Sequence, residues 1–501
     1  MKARRLGGAA LVVVLASGCA GTGAVRSAEQ TSLPTAAAPS ASAALPSSDE
    51  PPPDPDDPAL EPALSEPLED SVYPDVGDPS VDSLRYDLDL AWDPSSSTLT
   101  AEATIELRAT GEGDGLQLDL APELEVASVA LDGAPVDFEH DGKDLRIAAD
   151  VVADERYVLD IAYAGSPQPT PAPTTRSDFN TTGWTVTDDG EVWTMQEPYG
   201  AFTWYPVNDQ PSDKALYDIS VTAPAPYTGV ANGVLVSQTQ DGDLTTSEWS
   251  LSSPTSSYLV TVAIGEYTET TNTSASGVEI SYWVPSDEPQ YAGRLEYAAE
   301  GLDWLEDKLG PYPFDSLGFL LVDSESGMET QTMITLGLTS YATSKDVLVH
   351  EMAHQWYGDE VTPDDWRDVW MNEGMAMYLQ GVWQADHEGR DLDGLMDEWA
   401  SFESMLRAQS GPPADYDPTQ FGESNIYYGP ALMWHELRQR IGDEKFWQVT
   451  RDWPALDPER NADREEYLPW LVEQTGVERE FFDEWLLSPT TPTRASDTAD
   501  G

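Results

Sequence analysis

Residues 345–360 read KDVLVHEMAHQWYGDE, placing two of the chain's five histidines four positions apart with a glutamate directly after the first. On a helix, positions i and i+4 share a face, so His350 and His354 can aim their imidazole nitrogens at one point. Glu351 is turned by about 100° from His350, near enough to hold a water at that point without being a ligand. Val347, Leu348 and Met352 face a core, and Ser344 stands where an N-cap belongs. This is the H-E-x-x-H arrangement, which needs a third protein ligand and an open position to become a zinc hydrolase site. The single cysteine, Cys19, lies far upstream, so a carboxylate is the expected ligand. Glu373, in DVWMNEGMAMYLQ (368–380), follows His354 after eighteen residues. That interval lets the first helix end near Gly358, a loop pass Pro363, and a second helix return with Glu373 facing the histidines.

Working outward, Leu295, Ala298, Ala299, Leu302, Leu305 and Leu309 form a helical stripe closed by Gly310. A strand follows (LGFLLV, 317–322), and the remainder to residue 487 reads as mostly helical, so 276–487 is expected to be one α+β domain. Upstream the period is two. Leu84, Tyr86, Leu88, Leu90 and Trp92 alternate with Arg85, Asp87, Asp89 and Ala91, and Ala103, Ile105, Leu107 and Ala109 repeat the pattern. Residues 81–275 are therefore expected to form an all-β saddle or sandwich. Residues 20–80, rich in Ala, Pro, Ser, Asp and Glu, read as a disordered tether, and 488–501 as a disordered tail.

The first nineteen residues combine a basic start (Met1-Lys2-Ala3-Arg4-Arg5) with a short apolar run ending in ASGC, which resembles a bacterial lipobox. Ala16 stands where leucine is usual. The expectation is export across a bacterial cytoplasmic membrane and anchoring to its outer face through lipid on Cys19. With 91 acidic against 25 basic residues, the formal net charge of −66 repels phosphate backbones, so nucleic-acid binding is excluded as a function class. With one cysteine, disulfides play no part in the fold.

H-E-x-x-H, eighteen residues, then glutamate within W-x-N-E-G resembles the gluzincin metallopeptidases of the aminopeptidase N and leukotriene A4 hydrolase family, over roughly residues 84–487. The resemblance implies a β domain followed by a thermolysin-like catalytic domain, one zinc ion per chain held by His350, His354 and Glu373, and Glu351 as general base. The family's G-x-M-E-N loop reads SGMETQ here. Gly327 and Met328 would line the cleft and Glu329 would bind a substrate's free α-amino group, with Thr330 replacing the asparagine. The family's oxyanion-binding tyrosine falls on Tyr427, with Tyr428 a rival. In QEPYGAFTWYPVNDQPSDKA (196–215), Glu197 would reach the cleft from the β domain, with Gln196 as its companion. The implied activity is release of N-terminal residues from peptides with a free N-terminus; the sequence does not fix the oligomeric state, and a monomer is the favoured expectation. An endopeptidase with a more open cleft, or a surface binding lipoprotein with a relic site, are the alternatives.

Overall fold

In the computed structural model, the residues described are Pro55 and 57–494, which belong to one compact unit. The expectations for residues 1–19, Cys19 included, fall outside the described residues. In Val81–Asp93, Tyr86, Leu88, Leu90 and Trp92 are buried on one face while Asp87 is exposed on the other, as the two-residue period requires. This strand pairs in parallel with Lys214–Pro224 and antiparallel with Thr98–Ala109. It sits inside an eight-stranded sheet ordered Val234–Asp241, Leu244–Ser256, Lys214–Pro224, Val81–Asp93, Thr98–Ala109, Arg156–Gly165, Leu124–Leu131 and Ala134–Pro135. A five-stranded sheet containing Thr181–Val186 and Val192–Met195 contributes to the same core, where Trp184, Trp204, Tyr205 and Tyr163 are fully buried.

Three edges of the expected layout move. Tyr267–Thr273, assigned above to the β domain, pairs antiparallel with Glu279–Pro285 and so belongs to the sheet of the catalytic domain. Alternation marks a strand but does not say which sheet it joins, and the boundary falls near Glu266. Residues 57–80, read as tether, are ordered on the body. A register shift at Ser83/Arg85 turns Leu84 out of the main core, and the short helix Pro58–Ala63 covers it, burying Leu60 and Ala63 against Leu84 and Leu216. Full burial of one leucine contributes about 1.5–3 kcal/mol, which offsets the ordering of only about two residues, so the rest of the segment depends on further ties to the body. Asp70 then accepts from the Trp366 amide at 2.7 Å, and Ser71 donates to Asp365. At the other end, residues 488–494 are also packed: Arg494 is buried and donates to Asp397 at 2.8 Å.

The catalytic domain begins with the sheet order Tyr267–Thr273, Glu279–Pro285, Leu317–Val322, Met333–Gly337, Gly327–Met328. The last is an edge strand, and its two residues lie opposite Leu336 and Thr335. The expected stripe is broken into α1 (Ala292–Leu295) and α2 (Ala298–Leu309), the latter capped by Gly310 at φ 98°. Then come α3 (Lys345–His354), α4 (Trp370–Glu388), α5 (Leu392–Ser410), α6 (Asn425–Ile441), α7 (Asp443–Asp452), α8 (Arg464–Thr475) and α9 (Arg479–Leu487). Ser344 has N-cap backbone geometry, but its hydroxyl donates to Asp346 instead of accepting from the first turn.

The β domain grips the catalytic domain close to the site. Lys214, fully buried, donates to the carbonyls of Asp359 at 2.8 Å and Glu360 at 3.1 Å, and burial pushes it down to about 8. Asn232 donates to the Gln331 carbonyl at 2.6 Å, and the Gln331 amide donates to the Leu259 carbonyl at 3.1 Å. The loop after Gly327–Met328 is thereby stitched to the β domain.

Candidate active site

Helix α3 runs beside that edge strand, and α4 returns alongside α3, bringing together the donor atoms of His350, His354 and Glu373. The two Nε2 atoms are 3.2 Å apart, and Glu373 Oε2 lies 3.2 Å from His350 Nε2 and 3.4 Å from that of His354. A tetrahedral zinc site with bonds of about 2.0 Å has edges of about 3.3 Å, so the triangle fits the ion. For His354 a backbone carbonyl on the far side sets the tautomer. His354 Nδ1 donates to the Tyr357 carbonyl at 3.1 Å, leaving Nε2 free for a metal.

Glu351 is buried beside the triangle and is not part of it. A Cβ on Gly327 would stand 2.9 Å from Glu351 Oε1 and 3.1 Å from Leu336, so a side chain there would make the Glu351 carboxylate shift. A second close approach fixes α6 against α4. A Cβ on Gly374 would fall 2.3 Å from Pro430 Cβ, and this contact sits one residue from Glu373 and three from Tyr427. The Tyr427 ring lies over His350, with centroids 6.1 Å apart and planes at 24°. Tyr428 is turned elsewhere, with its ring against Trp399 and Phe402 at 5.3 and 4.9 Å.

Glu329 follows the edge strand and is buried, its Oε1 4.0 Å from His354 Nδ1 and without a hydrogen-bond partner. Its backbone carbonyl accepts from Gln355 Nε2 at 2.9 Å. Glu197, from the β domain, likewise has an unpartnered buried oxygen, and Glu329 is the strongest charge acting on it. Met328 is buried, and Thr330 donates to the Met333 carbonyl within its own turn. Gln196 does not join Glu197 as expected. It is fully buried, donates to the Ser257 carbonyl at 2.7 Å and accepts from Trp204 Nε1 at 2.9 Å, so both ends of its amide are spent inside the β domain.

Four carboxylates in one buried volume act on each other. Burial and then Glu329 and Glu373 push Glu351 up to about 8, and burial with Glu329 raises Glu197 well above the carboxylate range. Burial, then Glu373, also raises Glu329 against the pull of His354. Burial acts upward on Glu373 too, but hydrogen bonds with both imidazoles outweigh it and hold it well below. Burial lowers His350; on His354 it is outweighed by Glu329 and Glu373, which hold that imidazole well above its ordinary value. Cations are what such a cluster is shaped to receive.

Two contributors carry no signal in the sequence that isolates them. Gln355 directly follows the second histidine of the H-E-x-x-H motif, at a position the motif does not specify. Besides the Glu329 carbonyl it donates to Asp359 at 2.6 Å, and its Oε1 accepts from the Thr332 amide at 3.0 Å and Tyr312 at 3.1 Å. Arg176, in an irregular loop, reaches Tyr427 from the β domain.

A donor triangle of this size beside an unligated, buried glutamate is the arrangement of zinc metallopeptidases. Residues 294–485 match the model of the peptidase family M1 domain, and residues 82–259 that of the peptidase M1 N-terminal domain. The chain belongs to peptidase family M1. It is 32% identical to glutamyl aminopeptidase of Rattus norvegicus over 42% of this chain and 25% of that protein. To aminopeptidase N of Streptomyces lividans it is 25% identical, over 79% of this chain and 49% of that one. The chain thus spans half or less of the length of these relatives. Among solved structures, a mutant M1 zinc metallopeptidase from Deinococcus radiodurans, bound to a Tyr-Ser-Ala substrate, superimposes with a TM-score of 0.76 at 25% identity. That match covers 86% of this chain and 100% of that one. Native yeast LTA4 hydrolase shares the fold, with a TM-score of 0.68 at 21% identity over 84% of this chain and 70% of that one.

Proposed function

We propose that the protein is a zinc aminopeptidase that removes N-terminal residues from peptides bearing a free α-amino group. The observation that carries this reading is the pair of unpartnered, buried carboxylate oxygens of Glu329 and Glu197 beside the donor triangle. A substrate's ammonium carries the charge and the N–H donors that these oxygens lack as partners. His350, His354 and Glu373 would hold the zinc. When bound, the ion lowers the pKa of a water and polarises a carbonyl. Glu351 accepts the proton that water loses as it attacks and returns it to the leaving amine. Tyr427 donates to the carbonyl oxygen as negative charge develops there. Glu329 and Glu197 bind the ammonium, which registers the first peptide bond against these groups.

Hydrolysis of one peptide in free and N-acetylated form, with and without a chelator, tests the proposal. Acetylation removes a charge that two carboxylates bind by charge-assisted hydrogen bonds. The blocked form should therefore be cleaved on the order of 10²-fold or more slowly, and chelation should abolish both reactions. Equal cleavage of both forms at internal bonds would make the protein an endopeptidase, and undiminished activity without metal would remove zinc from the reaction.

We further propose that the protein is exported and held at the outer face of a bacterial membrane by lipid on Cys19. The basic start, the short apolar run and the ASGC sequence support this. Among the described residues no helix is long and apolar enough to cross a membrane. Cys19→Ala should release the protein to the medium or stall its processing, whereas unchanged membrane fractionation would contradict the anchor.

A further inference from the structure

Arg176 lies in the β-domain loop between strands Thr170–Pro171 and Thr181–Val186. This loop is tied to the segment ahead of α6. Thr174 Oγ1 donates to the Phe421 carbonyl at 2.7 Å, and the Phe421 amide donates to the Pro173 carbonyl at 2.9 Å. Within the loop the guanidinium is held on two sides. Its Nε donates to Asp178 at 3.1 Å, its Nη2 donates to the other oxygen of the same carboxylate, and the Phe179 ring centroid lies 4.6 Å from Cζ. A planar guanidinium clamped by a fork and a ring face keeps its remaining donors aimed. Nη1 donates to the Gly422 carbonyl at 2.9 Å and to the Tyr427 phenol oxygen at 3.4 Å. The second bond is long, as catalytic hydrogen bonds commonly are before substrate binds.

A phenol oxygen that accepts from a cation keeps its single hydrogen for another acceptor. Hydrogen bonds in series polarise one another, so a cationic donor behind the oxygen makes the O–H a better donor in front. In front of Tyr427 lies the zinc triangle, with His350 under its ring. We propose that Arg176 is a positioning residue for Tyr427, directing and strengthening the phenol's donation to the carbonyl oxygen under attack. The proposal rests on the reading of Tyr427 as the oxyanion donor.

The test measures kcat and KM for an unblocked peptide in Arg176→Met, Arg176→Lys, Tyr427→Phe and the double variant Arg176→Met/Tyr427→Phe, at matched zinc content. Arg176→Met should lower kcat on the order of 10-fold while KM stays within about 2-fold. Arg176→Lys, which retains charge but not the fork, should recover part of the loss. In the Tyr427→Phe background, Arg176→Met should cost nothing further. Losses that multiply in the double variant, or an unchanged kcat in Arg176→Met, overturn the proposal while leaving the oxyanion reading intact. A silent Tyr427→Phe overturns both. Should Arg176→Met fail to fold, Asp178→Asn at its partly exposed position loosens the fork and provides the same comparison. A kcat loss that disappears without the Tyr427 hydroxyl supports the role, and an unchanged or multiplying one overturns it.

Discussion

Glu351→Gln is expected to keep its zinc and to lose turnover by about 10²–10⁴-fold, the usual contribution of a general base. The carboxamide has the shape of the carboxylate, so it occupies the space that Gly327 leaves open without disturbing the edge strand. It still accepts a hydrogen bond from water but cannot take the proton. His350, His354 and Glu373 are untouched, and Glu351 stands outside their triangle, so metal content should equal that of the wild type. Single-turnover rates with elemental analysis of the same sample check this. Full zinc with near-normal turnover would place the base elsewhere in the site.

Glu329→Ala is expected to lower kcat/KM for a free peptide on the order of 10-fold while hardly changing the rate for its N-acetylated form. The substitution removes the unpartnered carboxylate and leaves the backbone carbonyl that accepts from Gln355, so the loop keeps its main tie. Glu197 remains to hold the ammonium, which is why some preference for the free amine should persist. The informative quantity is the ratio of the two substrates at constant zinc content. An equal loss on both would assign Glu329 a structural role, and no loss on either would remove it from substrate binding.

The convergence of His350, His354 and Glu373 was legible in the sequence because helical geometry does most of the work. Two ligands one turn apart on one helix are neighbours wherever that helix sits, and eighteen residues suffice for a second helix to come back beside it. The strands of the β domain were legible for a similar reason, since a two-residue period is a local property. Tertiary structure decided the rest. Tyr427 and Tyr428 are adjacent in sequence and equivalent in chemistry; α6 turns one over His350 and packs the other on Trp399 and Phe402. Gln196 looked like a partner for Glu197, but Trp204 and the Ser257 carbonyl satisfy its amide in the β-domain interior. Residues 57–80 have the composition of a tether and are ordered by Leu84, Leu216 and Trp366, groups that the fold brings to them. Arg176 stands 251 positions before Tyr427. Local periodicity and motif spacing report only on contacts within a helix, a strand or a turn. A side chain that meets the site across two domains acquires its role from packing, which no stretch of sequence around it encodes.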